Sequence, residues 1–480
     1  EQVIQDLLMY KAANMNFVRM TQRPVHPEIM DLFDALGLGL QVDLPLFGFV
    51  SYSKYEDVLS QSIEMENLTR GLPSVLLESL INEPNSTQQP SADSVSDKSD
   101  IGQKHLDLDE LDTVLRMCRD IIRIQNPVRV VIAIEGVESF GYSLDRDAPF
   151  GPQIVHHYPL WYGPGTAPIN GIYANHMYNT KPGWMAGCGE YGAEGLDSIE
   201  TLIHGRWRHL RFPKDWVPES DQDTAWHPRL INGCQAGKSW ETWHPPAKTA
   251  AEYVELSQAH QARAVRWMTR AFRVRADIMQ STTVHLGIDA FPANWVKSLI
   301  SFNRVPKPAF FEYLEACKPV ALALTINEQR IYAGRQLVAE AWLLNDKVDT
   351  INESVLEYGV MDGKRIRYHG SKHLDLPASA STYAGSMHWE IPPVLKRERW
   401  KVFARLLDKS GTILADVVEP IDVFPLPEQS PLKVGVVGCL GEVKGLGSLS
   451  GQISLTEIRE PSELDSVGCL AVVSPEALTE

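Results

Sequence analysis

Apolar runs and helix-period segments alternate along the N-terminal part of the chain. A helical pattern over residues 4–13 precedes the short strand-like run Asn16-Phe17-Val18-Arg19-Met20. A second helix is predicted from Pro27 to Leu36, where Ile29, Met30, Leu32 and Phe33 recur on one face and Gly37 supplies the stop. Leu40-Gln41-Val42-Asp43-Leu44 reads as a strand that Pro45 ends, and Tyr55 to Arg70 as a helix. Val75-Leu76-Leu77-Glu78-Ser79-Leu80-Ile81 is the next buried strand, running into Asn82-Glu83-Pro84. The same alternation continues through a helix at Asp107–Ile124, strands at Val128–Ile134, Gln153–Tyr158 and Gly183–Glu190, a long helix at Ala250–Val274, a strand at Thr282–Asp289 and a helix at Pro308–Ala316. Strands that alternate with helices over short connections form a parallel sheet covered by helices. Residues 85–104, rich in Ser, Asp, Gln and Pro, interrupt the pattern and predict a mobile loop over the end at Glu83.

From Pro319 the period changes. Short, partly alternating strands at Val320–Ile326, Gln336–Leu344, Glu353–Val360, Met387–Ile391, Trp400–Leu407 and Ile413–Ile421 are separated by polar or glycine-containing turns, the pattern of a β-sandwich. A Pro-rich linker follows, and Leu432–Val437 is a further buried strand. Gly435, Gly438 and Gly441 do not make a dinucleotide-binding GxGxxG element. The expected fold class is α/β: a (β/α)8 barrel over 1–317, an immunoglobulin-like β-sandwich over 318–425, a linker at 426–431 and the start of an α/β domain over 432–480. Seven barrel strands are legible, so a closed eight-stranded barrel would take its first strand from upstream of Glu1. The chain is accordingly expected to be a fragment, which leaves its compartment unread.

A formal net charge of −16 argues against a nucleic-acid surface, which needs clustered Lys and Arg. No apolar run reaches the roughly 18–20 residues of a membrane span. None of the six cysteines forms a CxxC pair, so neither a zinc ribbon nor a redox motif is indicated, and reduced thiols are expected. His156 and His157 lack a third ligand at metal-like spacing, so no metal or cofactor is expected.

The chemistry is concentrated in acids at strand ends. A carboxylate that closes a buried strand is costly unless paired or used, and in parallel barrels catalytic groups occupy that end. Glu83 is one such acid, and Glu190, in Gly187-Cys188-Gly189-Glu190-Tyr191-Gly192, is another. Two carboxyls, each on its own strand, are what glycoside hydrolysis requires. Glu135 and Glu138 close another strand, either to bind sugar hydroxyls or to face solvent; Glu194 reads as the start of the next loop or helix.

The succession Asn14-Met15-Asn16-Phe17-Val18-Arg19, Asp34-Ala35-Leu36-Gly37-Leu38, Ile81-Asn82-Glu83-Pro84 and Gly189-Glu190-Tyr191-Gly192-Ala193-Glu194 resembles glycoside hydrolase family 2, which includes β-galactosidases, β-glucuronidases and β-mannosidases. The resemblance covers residues 1–317 and, more loosely, the sandwich. It implies that Glu83 is the acid/base, Glu190 the nucleophile, Asn82 the residue that holds the sugar 2-hydroxyl and Arg19 an arginine beside the nucleophile. Tyr158 is implied, more loosely, as a tyrosine bonded to it. His157 and Trp161 are expected at the pocket. Where much of the family carries a Trp before the last strand's Asp, this chain has His285 before Asp289, with Trp295 further on as a replacement floor for the sugar. The Asn-x-Lys element that glucuronidases use is not seen after Asp289. The implied activity is retaining hydrolysis of a β-glycoside, a β-galactoside foremost, with β-mannosidase, β-glucuronidase or non-catalytic sugar-binding readings as alternatives. The expected partner is carbohydrate, with neither nucleic acid nor membrane; oligomerisation is not readable.

Overall fold

In the computed structural model the described residues are 1–48, 50–84, 105–136, 153–161, 186–204, 216–231, 246–291, 296–426, 432–437, 453–457 and 469–472. Seven strands, β1 (Phe17–Met20), β2 (Gly39–Asp43), β3 (Val75–Asn82), β4 (Val130–Glu135), β5 (Gln153–His157), β6 (Ala186–Tyr191) and β7 (Met279–Val284), form one parallel sheet in sequence order. β7 comes back beside β1, so the sheet is a nearly closed barrel. The strand expected at Thr282–Asp289 runs instead over Met279–Val284, so His285 and Asp289 lie beyond its end. Residues 85–104, expected as a mobile loop, and Glu138 lie outside the described residues.

Helices cover the barrel: α1 (Gln2–Ala12), α2 (Pro27–Leu36), α3 (Tyr55–Thr69), α4 (Leu108–Gln125), α5 (Ile199–His204), α6 (Ala250–Val274) and α7 (Pro308–Ala316). Their ends follow local chemistry. Pro27 opens α2, where its missing N–H costs nothing, and Gly37 closes it at φ +64°. Asp107 and Glu110 make a reciprocal capping box at the start of α4. Leu111, Val114, Leu115, Cys118 and Ile122 of α4 are buried in one core with Val58 and Met65 of α3. On the other side of the barrel, Trp267, Met268 and Phe272 of α6 pack with Phe310 and Tyr313 of α7. No described helix is long and apolar enough to cross a membrane. Cys118, Cys188 and Cys317 are free thiols.

One ion cluster is buried on β3. Arg129 Nε lies 2.9 Å from Glu66 of α3 and 3.7 Å from Glu78, in the middle of a strand that otherwise reads as apolar. Burial pushes the Glu78 carboxyl up to about 7, against the pull of Thr69 and Arg129.

Two antiparallel-rich sheets follow, built from β8 (Val320–Ile326), β9 (Arg330–Tyr332), β10 (Gln336–Asn345), β11 (Ile351–Asp362), β12 (Arg365–Leu376), β13 (Ala380–Glu390), β14 (Glu398–Leu407) and β15 (Ile413–Phe424). One has the order β13-β10-β8 and the other the order β12-β11-β14-β15-β9. β9 and β12 were not legible in the sequence. β12 is an edge strand on which Leu376 alone is fully buried, so no apolar alternation marks it. Beyond it, β16 (Leu432–Val437), β17 (Ile453–Glu457) and β18 (Cys469–Val472) form a parallel sheet in the order β17-β16-β18. Residues 427–431 of the expected linker, and Gly438 and Gly441, lie outside the described residues. The chain makes two compact units, one of residues 1–328, 338–388 and 401–420, the other of 329–337, 389–400 and 421–480. The acids at the barrel strand ends all belong to the first.

Candidate active site

Parallel registry brings the strand ends together. Asn82 pairs with Glu135 across β3 and β4, and His156 pairs with Glu190 across β5 and β6, just past an irregularity at Val155. The chain turns sharply after Asn82: Glu83 has φ +46°, and its N–H donates to the Glu135 carbonyl at 3.0 Å. A non-glycine residue in the left-handed region is held there by its surroundings.

Arg19 lies at the centre. Its Nη2 donates to Asp43 Oδ2 at 2.6 Å and to Asn82 Oδ1 at 2.7 Å. Its Nε donates to the same Asp43 oxygen at 3.0 Å, and its Nη1 to Glu190 Oε1 at 3.2 Å. Gln41 Nε2 donates to Asp43 Oδ1 at 3.0 Å and also to Glu135 Oε1. A buried guanidinium needs this much compensation. Glu135 is fully buried beneath the group, so it does not face solvent. Among the described residues its Oε2 has no hydrogen-bond partner, although Arg19 Nη1 is 3.6 Å and His156 Nε2 3.8 Å away. Burial pushes its carboxyl up. Gly189 makes room for it, since a Cβ there would overlap the Glu135 carboxylate.

Glu190 has the opposite electrostatics. Burial alone would raise its carboxyl, but the electrostatic pull of the neighbouring His285, His156 and Arg19 and the hydrogen bond from Tyr158 outweigh it and hold the group at about 2. Tyr158 donates to Glu190 Oε2, and His285 Nδ1 lies 3.8 Å from the same oxygen. Burial drives His285 itself down to about 3, while the acids around Arg19 keep its guanidinium charged. Glu83 reaches the group from the other side: His156 Nδ1 lies 2.6 Å from Glu83 Oε1, and Nε2 of the same ring lies 3.5 Å from Glu190 Oε1. One donor atom from each of Glu83, His156 and Glu190 lies within 4.8 Å of the other two, a grouping that could hold a metal ion. The Arg19 guanidinium, 3.2 Å from Glu190, places a permanent positive charge against such an ion.

The structure therefore brings Glu83, Glu190, Asn82, Arg19, Tyr158 and His285 together. Trp161 joins them from the edge: its ring meets Tyr158 at 4.6 Å and His285 at 6.2 Å between centroids. Its face is covered, because Lys297 Nζ stands 3.7 Å above it. His157 alternates outward along β5 and turns its ring to Phe272 of α6. Trp295 lies outside the described residues.

Sequence reasoning passed over Asp43, Gln41 and Lys297. Asp43 carries the signal that singled out Glu83, an acid at the end of a buried strand. Lys297 carries none, since only the return of the chain after β7 brings it here. Burial lowers its ammonium to about 7, against the pull of Glu190, Glu194 and Glu83. Asp289, Asp197 and Lys307 form a separate buried tie: Lys307 Nζ is 3.3 Å from each carboxylate and 2.8 Å from the Gly195 carbonyl. It joins the segments that leave β6 and β7.

No protein-family model and no curated protein matches the chain. Solved structures do. A β-D-mannosidase from Dictyoglomus thermophilum superposes with a TM-score of 0.61 at 16% identity, over 90% of this chain and 49% of its own. An exo-chitosanase from Amycolatopsis orientalis superposes with a TM-score of 0.58 at 13% identity, over 87% of this chain and 46% of its own. The chain thus spans about half the length of these proteins. At such identities the likeness is one of fold, and at that level the resemblance to glycoside hydrolase family 2 holds.

Proposed function

We propose that this chain carries the catalytic barrel of a glycoside hydrolase that cleaves a terminal β-glycoside with retention of configuration. The observation that carries the reading is the closeness of its two strand-end acids: an oxygen of Glu83 lies within 4.8 Å of one of Glu190. Retaining glycosidases hold their carboxyl groups about 5–5.5 Å apart and inverting enzymes roughly 6.5–9.5 Å apart to leave room for a water; a nearest-oxygen approach is not that separation, but one this short supports the retaining arrangement.

In this reading Glu190, ionised across the neutral range, attacks the anomeric carbon. Glu83 gives its proton to the departing oxygen as that bond breaks. Glu83 then takes a proton from water as the water displaces Glu190 from the sugar. Arg19 and the Tyr158 hydroxyl aim Glu190 and keep it charged, and Arg19 also holds the Asn82 amide, whose other end is left for a sugar hydroxyl. As to the sugar, the sequence resemblance puts a β-galactoside first, while the fold neighbours bring in β-mannosides and β-glucosaminides.

The test is a panel of 4-nitrophenyl β-glycosides, galactoside, mannoside, glucosaminide and glucuronide, with the 480-residue chain. Glu190→Ala is expected to lower turnover of the accepted sugar by roughly 10³-fold or more. Proton NMR of the first-formed sugar is expected to show the β anomer. Unchanged turnover in Glu190→Ala, or an α product, would overturn the mechanism. Binding without turnover by the unmodified chain would make it a sugar-binding module instead.

A further inference from the structure

We infer that His156 is the positioning residue of the acid/base, holding the Glu83 carboxyl in place through both of its protonation states. The inference rests on the reading of Glu83 as the acid/base and adds a residue to which nothing in that reading assigns a part.

The geometry is specific. His156 is buried, and its Nδ1 stands 2.6 Å from Glu83 Oε1, a strong hydrogen bond. An acid/base must be a carboxylic acid in one half of the reaction and a carboxylate in the other. An imidazole N–H at Nδ1 can donate to Glu83 Oε1 in both states, because that oxygen is the carbonyl of the acid and one oxygen of the carboxylate, and Oε2 is left to carry the proton that is transferred.

The far end of the ring is held as well. Nε2 faces the Arg19 Nη1 donor at 3.4 Å, with Glu190 Oε1 at 3.5 Å and Glu135 Oε2 at 3.8 Å beside it. With Nδ1–H directed at Glu83 Oε1, Nε2 has the Arg19 N–H facing it. That one tautomer serves both halves of the reaction, so no proton has to cross the ring. The proton used in catalysis passes between Glu83, the leaving oxygen and water; the contribution of the ring is position.

The backbone has been shaped around this contact. Gly136, at φ +76°, passes where a Cβ would stand 2.8 Å from the His156 ring and 2.9 Å from Glu83 Cγ. Glu83 itself holds a φ of +46°, a backbone conformation that a non-glycine residue keeps only when its surroundings fix it.

The test uses two variants and two leaving groups. His156→Gln keeps a polar group near Nε2 and removes the partner of Glu83; His156→Asn keeps one near Nδ1. Each is assayed with phenyl and 2,4-dinitrophenyl β-glycosides of the sugar that the unmodified chain hydrolyses, beside Glu83→Ala. Dinitrophenolate departs without protonation, and general acid catalysis is worth roughly 10²–10⁴-fold where protonation is needed. His156→Gln is expected to lower kcat/KM for the phenyl glycoside by about 10²-fold and for the dinitrophenyl glycoside by less than about 10-fold. His156→Asn is expected to recover most of the loss. The ratio between two substrates on one preparation does not depend on how much of a variant has folded. An equal loss on both substrates, or no loss, overturns the inference. If Glu83→Ala shows the leaving-group dependence and acceleration by azide while His156→Gln does not, the inference alone fails. If Glu83→Ala shows neither, the reading of Glu83 fails with it.

Discussion

Arg19 and Glu190 stand 3.2 Å apart, and the same guanidinium holds Asp43 at 2.6 Å and Asn82 at 2.7 Å. One planar cation thus orients residues from three other strands or strand ends. An ammonium on a flexible stem cannot reproduce that fork. Arg19→Lys is expected to keep the charge and still lower kcat by about 10²-fold. Steady-state kinetics on the accepted 4-nitrophenyl glycoside would show it, and near-unmodified kcat would mean that charge alone suffices.

Gly136 is irreplaceable for two separate reasons. Its φ of +76° penalises any side chain, and a Cβ would stand 2.8 Å from the His156 ring. Gly136→Ala is expected to cost about 1–3 kcal/mol in urea unfolding and to reduce turnover as well. At Gly71 a Cβ would meet no other atom within 4 Å, and φ there is not positive. The same change at Gly71 is expected to be neutral or slightly stabilising, which makes it the control.

Lys297 predicts a pH dependence of stability. Its ammonium titrates at about 7 when folded and near 10.5 otherwise. Between those values the unfolded chain binds the proton that the folded chain has lost, so this group's contribution to stability rises with pH from about 7 to about 10.5. Below that window the buried charge is a constant cost. Lys297→Met is expected to be more stable than the unmodified chain at pH 7, by about 1–3 kcal/mol, with the advantage shrinking towards pH 10. Denaturant midpoints at the two pH values are the measurement, and a constant difference would count against a depressed Lys297.

Arg129 predicts a cost at a distance from the site. It alone balances Glu66, at 2.9 Å, and Glu78, at 3.7 Å, among the ion pairs described there. Arg129→Met leaves two carboxyls buried and is expected to lose about 3–5 kcal/mol. Arg129→Met combined with Glu78→Leu is expected to recover part of it. A loss below about 1 kcal/mol in chemical denaturation would show that water reaches the cluster.

The alternation that made the barrel legible is a local property. A strand buried on both faces must be apolar, and a helix laid over it must be apolar on one face, so each writes its period into consecutive residues. Glu83 and Glu190 were visible because they break that rule at strand ends. β12 was invisible because an edge strand facing water has no period to write. Glu135 had the same strand-end signature as Glu83, yet the structure buries it wholly.

The sequence by itself therefore determined the order of the seven barrel strands, the change to antiparallel strands after Pro319, and the two acids. Tertiary structure alone decided what those acids can do. The approach of Glu83 and Glu190 to within 4.8 Å, the seat of His156 between them and the arrival of Lys297 over Trp161 all depend on which strands lie side by side. Closing the sheet brings together side chains far apart along the chain, and no local period encodes such a meeting.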